Sequence, residues 1–446
     1  MDSKKKSKWR KFAIIVGLIM IVAIVWIYFE YKSFFRVPDS RLALDQYYPE
    51  MPPDDKHHYI VLPIDHNDPK KGKYKGFYIL SPKFTKGKET VFFLTDGQMQ
   101  LVDTQPDFAF FENILGDISY VLIGVRGHSP TYFPEVYNKD GTLNYKNAMN
   151  LYGSDQHVED IEFIRLDLQE KGYLPSDGKI MLFGVSGAGV LAQQYLAKYG
   201  KNVKRAILGV TGSPDIAKAK NWLYSPDFVD FNKEGAKILQ CILEKRNMNI
   251  GSLSYILYQV ARTHPNAREA QLDILRSLEA NGSLLKFLLK PQYNLSMAKF
   301  LMSTPSAASL KVRCYELTGY DLKNYKKANA QKLNLLYEFS AEYLSDFIEK
   351  DIAGEIHHKE FRLDRSHFQG EVLVMSGTED VVFSVEIGRA IANAYPNAKF
   401  ALFKDGHRFL GNQNYYLSLR RAFFLGGFHS PDFQILYNDS CQINNQ

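Results

Sequence analysis

Residues 180–189, reading IMLFGVSGAG, constrain this chain more than any other stretch. A short apolar run ends at Gly184, one serine stands among small residues, and a helix-forming segment follows at once. That order predicts a strand turning sharply into a helix and lifting the Ser186 hydroxyl clear of the backbone, the form of a nucleophile elbow. Strand and helix pass close at such a turn, so the residues two before and two after the serine must be small. Gly184 and Ala188 both qualify, although the strict pattern has glycine where Ala188 stands. Alone, the pattern also describes an ordinary tight turn, so its surroundings decide its meaning.

The surroundings alternate. Short apolar runs at 59–65, 74–81, 91–95, 119–125, 180–184 and 205–210 read as strands, and 155–171 and 187–199 have helical spacing. Alternation of this kind predicts an α/β fold with a mostly parallel sheet covered on both faces. From 212 to about 370 the patterns are mainly helical, as at 232–246, 266–280 and 325–350. Alternation resumes with a strand at 371–376, a helix at 385–394, a strand at 399–404 and a helix near 415–424. The expected organisation is a tail and anchor over 1–36, a core over 37–211 and 371–446, and between its halves a helical cap over 212–370, of a size to cover a site.

The tail is a separate object. Lys4, Lys5, Lys6, Lys8, Arg10 and Lys11 precede an uncharged run that opens at Phe12 and closes at Phe29. As a helix at about 1.5 Å per residue it would measure about 27 Å, enough to span a bilayer core. Trp26 and Tyr28 suit the interface, and this bulky end is unlike a signal-peptide cleavage site, so an uncleaved transmembrane helix is expected. The basic flank would keep the N-terminus cytoplasmic and place the large domain outside the cytoplasm, periplasmic or extracellular. The formal charge of +6 is almost all in this tail, where six Lys/Arg face Asp2 within residues 1–11. The rest therefore lacks the basic field of a nucleic-acid partner. Cys241, Cys314 and Cys441 form no Cys-x-x-Cys pair, and the chain has no His-Glu-x-x-His and no Gly-Lys-Ser/Thr phosphate loop. Neither metal nor cofactor is expected.

A serine hydroxyl is a weak nucleophile without a base to take its proton and a carboxylate to orient that base. The run at 371–376 leads into Gly377-Thr378-Glu379-Asp380, and the run at 399–404 into Asp405-Gly406-His407. Asp380 is the candidate orienting acid, with Glu379 as alternative, and His407 the candidate base. Each alone reads as blandly as a helix cap or a loop histidine. Together they stand after late strands in the order Ser, Asp, His. The oxyanion formed on attack needs two N–H donors. Gly187 N–H, next to the nucleophile, and Gln98 N–H, in the loop after the run at 91–95, are the candidates.

The chain resembles the α/β-hydrolase superfamily and, more narrowly, the prolyl aminopeptidase and tripeptidyl aminopeptidase family of serine peptidases. Val61-Leu62-Pro63-Ile64-Asp65 with Asn67-Asp68-Pro69, Arg126-Gly127-His128-Ser129, and Asp160-Ile161-Glu162-Phe163-Ile164-Arg165 carry that resemblance beyond the triad. Asp96-Gly97-Gln98 departs from the family's His-Gly-Gly-Pro-Gly loop. The resemblance implies removal of N-terminal residues from peptides through an acyl-enzyme. A carboxylesterase or lipase acting on a small acyl substrate, and a non-catalytic binding module, are the alternative readings on the same fold.

Overall fold

The computed structural model describes residues 14–29, 41–96, 98, 100–280, 282–283, 307–324 and 333–443. Eight strands form one sheet in the order β1-β2-β4-β3-β5-β6-β7-β8. They are β1 His57–Pro63, β2 Lys73–Leu80, β3 Thr90–Phe93, β4 Ser119–Ile123, β5 Ile180–Val185, β6 Val203–Gly209, β7 Glu371–Gly377 and β8 Ala398–Phe403. β2 pairs antiparallel with β1 and β4, and every other pairing is parallel. A parallel pair needs a crossover, and helices such as Ser154–Glu170, Gly187–Tyr199 and Val385–Ala394 supply them.

Strand alternation divides the core. Leu182, Ala206, Leu208 and Val374 face Ile161, Leu191 and Ile391 on one side. Met181, Phe183, Ile207 and Met375 face Leu115, Phe423 and Phe433 on the other. This period of two is what a sheet buried on both faces requires. The chain runs outward from β3 to β4 and then returns to the other side of β3 with β5. That reversal opens a crevice beyond the C-terminal ends of β3 and β5, where ligands bind in sheets of this kind.

A buried ion pair ties the antiparallel end of the sheet to its helices. Arg126 and Asp160 are 1% and 0% exposed. The guanidinium makes two 2.6 Å bonds to the carboxylate and donates to the carbonyls of Pro63, Ile64 and Leu151. Tyr74 and His66 complete the acid's coordination. Burial pushes the Asp160 carboxyl up, but the Arg126 charge and these hydrogen bonds overcome it and hold the group far below the usual carboxylate range. Breaking a buried pair from one side leaves an uncompensated charge, so Asp160→Asn should cost about 3–5 kcal/mol. Because the folded acid titrates lower than the unfolded one, this stabilisation is complete at neutral pH, begins to be lost as pH falls through the ordinary carboxylate range, and goes on being lost until the folded group protonates, far below it. Urea midpoints of wild type and variant should therefore converge in acid.

Between β6 and β7 every described regular element is a helix. Residues 232–246 and 266–280 hold Lys233–Lys245 and Ala267–Glu279. The single helix expected over 325–350 is instead two, Leu335–Tyr343 and Ser345–Ile352, in the part that is described. Asn334 starts the first by accepting the Tyr337 N–H, and non-helical Leu344 separates them.

The expected transmembrane run appears as a helix over 14–29 with its large apolar side chains exposed; Phe12 lies outside the described residues. Ala13 likewise lies outside them, so 16 of the run's 18 residues are described. Among the described residues no helix is long and apolar enough to cross a membrane.

Candidate active site

β5 ends at Val185, and the helix Gly187–Tyr199 starts two residues later. Ser186, between them, takes φ 59° and ψ −132°, a left-handed backbone that few residues other than glycine adopt. The turn is held open by its neighbours: Ser186 N–H donates to Gly209 O at 2.9 Å, and Thr211 Oγ1 donates to Ser186 O at 2.6 Å. A Cβ at Gly184 would lie 2.5 Å from the Ala188 carbonyl oxygen, so strand and helix leave no room there. Ala188 is itself buried with its methyl accommodated. Glycine is required one residue later, since a Cβ at Gly189 would meet the Thr211 side chain at 2.5 Å.

The turn after β7 buries Asp380, and the loop after β8 buries His407, at 5% and 6% exposure. His407 Nε2 lies 3.1 Å from Ser186 Oγ, and Nδ1 lies 3.0 and 3.1 Å from the two Asp380 oxygens. Asp380 is fixed by accepting the N–H groups of Val382 and Phe383. The His407 loop is fixed by Asp405, which accepts from the N–H groups of Gly406, Leu410 and Gly411 and from the Tyr416 hydroxyl. Glu379, one residue before Asp380, is half-buried, and both hydrogen bonds from His407 Nδ1 go to Asp380. A neutral imidazole in this position can take the serine proton while the carboxylate holds its tautomer and orientation.

The two expected oxyanion donors are placed differently from each other. Gly187 is the first residue of its helix, with its N–H at the elbow. Gln98 N–H is turned inward instead, donating to its neighbour Asp96 Oδ1 at 3.1 Å in a short Asx turn. Asp96 is the residue the sequence reading passed over. A Cβ placed on Gly187 would stand 1.7 Å from Asp96 Oδ2, so the carboxyl lies directly against the elbow. The pairing of β3 with β5 explains this. Phe93 is level with Phe183, and Asp96 and Ser186 each follow by three residues.

The helical segment reaches the same place. From the helix Ala308–Asn324, Arg313 donates to the Asp96 carbonyl and pairs with Glu316, which accepts the Ser154 N–H. Ser309 donates to Gly127 O. Burial above all pushes the neighbouring Cys314 thiol up to about 12, so it is no thiolate nucleophile. Among the described residues no group of three or more His, Cys, Asp or Glu could hold a metal ion.

No protein-family model matches the sequence, and no curated protein matches it. Solved structures do resemble it at low identity. An esterase from Exiguobacterium antarcticum is 15% identical, with 79% of this chain and 96% of that one covered at a TM-score of 0.39. A serine hydrolase from Cycloclasticus zankles is 11% identical, with 84% and 100% covered at 0.40. A meta-cleavage product hydrolase from Pseudomonas fluorescens is 14% identical, with 74% and 88% covered at 0.35. The fold is read from the chain itself: its strand order, with a serine elbow after β5, an acid after β7 and a histidine after β8, is that of the α/β-hydrolase fold.

Proposed function

We propose that this chain is a serine hydrolase that transfers an acyl group from an ester or amide to Ser186 and then to water. The observation that carries this reading is His407 bridging Ser186 Oγ and Asp380 within hydrogen-bond distance, from three separate strand ends. In the proposed cycle His407 takes the serine proton, returns it to the leaving group, and then activates water to release the acyl group. The helices of 212–370 act as a cap over this site. The run at 12–29 anchors the chain with the catalytic domain outside the cytoplasm, and the basic tail supports that orientation.

The peptide-directed form of this activity is aminopeptidase action, supported by the resemblance over 61–69 and 160–165. It requires an acidic pocket for the substrate's α-ammonium. Carboxylester hydrolysis is the second reading, and a specific observation favours it. Arg408 directly follows His407, and its guanidinium is lowered by partial desolvation and then by the charge of Arg262, from the helix Ile250–Thr263. Two cations near one another, one of them next to the base in sequence, suit a neutral or anionic acyl group better than an ammonium.

A panel of aminoacyl arylamides, their N-acetylated forms and acyl esters separates these readings. Cleavage of free-amine arylamides alone supports the aminopeptidase. Turnover of esters with equal rates on blocked and free amines supports the esterase. For the anchor, protease added outside intact cells or spheroplasts should digest the domain; protection there with digestion after lysis would reverse the orientation.

A further inference from the structure

Among the described residues of the loop after β3, Gln98 is the expected donor, and its N–H is not free to complete the oxyanion hole with Gly187. Attack on an acyl carbon leaves a negative oxygen that needs two donors held in place beforehand. Gly187 N–H is one. The loop after β3 ordinarily supplies the second from its backbone, but here Gln98 N–H is already donated to Asp96 Oδ1 at 3.1 Å. The atom standing at the elbow is Asp96 Oδ2. It lies against Gly187, belongs to a side chain 8% exposed, and has no hydrogen-bond partner.

We propose that Asp96, as the neutral acid, donates its Oδ2–H to the substrate oxygen that becomes the oxyanion, beside the Gly187 N–H. The inference rests on Ser186, His407 and Asp380 acting as proposed above. No proton leaves Asp96 in the step. The serine proton passes to His407 and on to the leaving group, while the Oδ2–H bond to the oxyanion forms and shortens as charge develops. An ionised Oδ2 in this place would repel that charge, so the neutral acid is the working form.

The surroundings agree. Burial raises the Asp96 carboxyl above its ordinary range, against the opposing Arg313 charge and the Gln98 N–H. The charged or titratable groups around it are His157 of the helix Ser154–Glu170, and Arg313 and Cys314 of the helix Ala308–Asn324. Burial lowers the His157 imidazole and raises the Cys314 thiol to about 12. Gln98 Nε2 is the competing donor, 3.1 Å from where a Gly187 Cβ would stand.

The test is kcat/KM from about pH 5 to 10 on a p-nitrophenyl ester and an aminoacyl arylamide. Wild type, Asp96→Ala, Asp96→Asn and Gln98→Ala are compared after fluorophosphonate labelling of each. Asp96→Ala should lose about 10²–10³-fold, as removal of an oxyanion donor does. Asp96→Asn keeps an acceptor for Gln98 N–H and a permanent N–H donor toward Gly187. It should stay within about tenfold of wild type and lose whatever fall toward higher pH the ionisation of Asp96 imposes on wild type. If Asp96→Ala fails to fold, the Asp96→Asn profile decides alone. Three results overturn the proposal: a fall toward higher pH that is unchanged in Asp96→Asn, wild-type rates in Asp96→Ala with Gln98→Ala the damaging change, or a loss in Asp96→Ala confined to free-amine substrates. The last would make Asp96 an ammonium-binding carboxylate. Absence of Ser186-dependent labelling in wild type removes the triad reading and this inference with it; labelling with an indifferent Asp96→Ala removes this inference alone.

Discussion

Ser186→Ala is expected to lower turnover by about 10⁴–10⁶-fold, because the nucleophile is lost while the rest of the site stands. The fold should be nearly unaffected. Alanine carries the same Cβ at φ 59°, so the strain of the elbow does not change. The bonds that hold the turn use the Ser186 main chain, its N–H to Gly209 and its carbonyl to Thr211, and both survive. The melting temperature should therefore move little, which separates loss of chemistry from loss of structure. Turnover in Ser186→Ala at even a tenth of the wild-type rate would require a different nucleophile.

Asp380→Asn should cost about 10⁴-fold, through the tautomer of His407 rather than through charge alone. In the wild type both Asp380 oxygens face His407 Nδ1, which must carry the proton. The Val382 and Phe383 N–H groups donate to Asp380 Oδ1, so they would hold the asparagine's single oxygen on that side and turn its NH₂ toward the imidazole. Nδ1 then becomes the acceptor, Nε2 carries the hydrogen toward Ser186, and the imidazole can no longer take a proton. Glu379→Gln should leave the rate within a few-fold, since the bonds from Nδ1 go to Asp380. If Glu379→Gln were the damaging change instead, the orienting acid would be misassigned. In the wild type the rate should also fall on acidification, because imidazolium has no lone pair to accept the serine proton.

The sequence was most legible where periodicity and small residues meet. Strands at 180–184 and 371–376 and helices at 187–199 and 385–394 stand in the structure within a residue or two, because their apolar pattern belongs to a sheet buried on both faces. Ser186, Asp380 and His407 were legible because each follows such a strand. Several helices were not. Phe108–Leu115 and Tyr145–Tyr152 are short and aromatic-rich, and their only local signals are the caps Asp107 and Asn144, which read equally well as turn residues. Ile250–Thr263 and Ala308–Asn324 bury residues such as Leu253, Leu257, Val312 and Tyr315 in the common core.

Asp96 was missed for a different reason. In the sequence it is a departure from an expected loop. Only the register of β3 against β5 brings it to the elbow. The segments that carried the peptidase resemblance also take on a new meaning. Arg126 and Asp160 form a buried scaffold pair with the 63–66 turn, and Glu162 and Arg165 pair with each other, with Tyr195 bonded to Glu162. These bonds show that the segments hold the fold together.

Mapping the adduct of a fluorophosphonate probe on the intact protein tests the central claim most directly. One equivalent should attach to Ser186, identified in the peptide that spans the elbow, and labelling should vanish in Ser186→Ala and slow severely in Asp380→Asn. An adduct on another residue, or an unlabelled Ser186 in folded protein, would contradict the account.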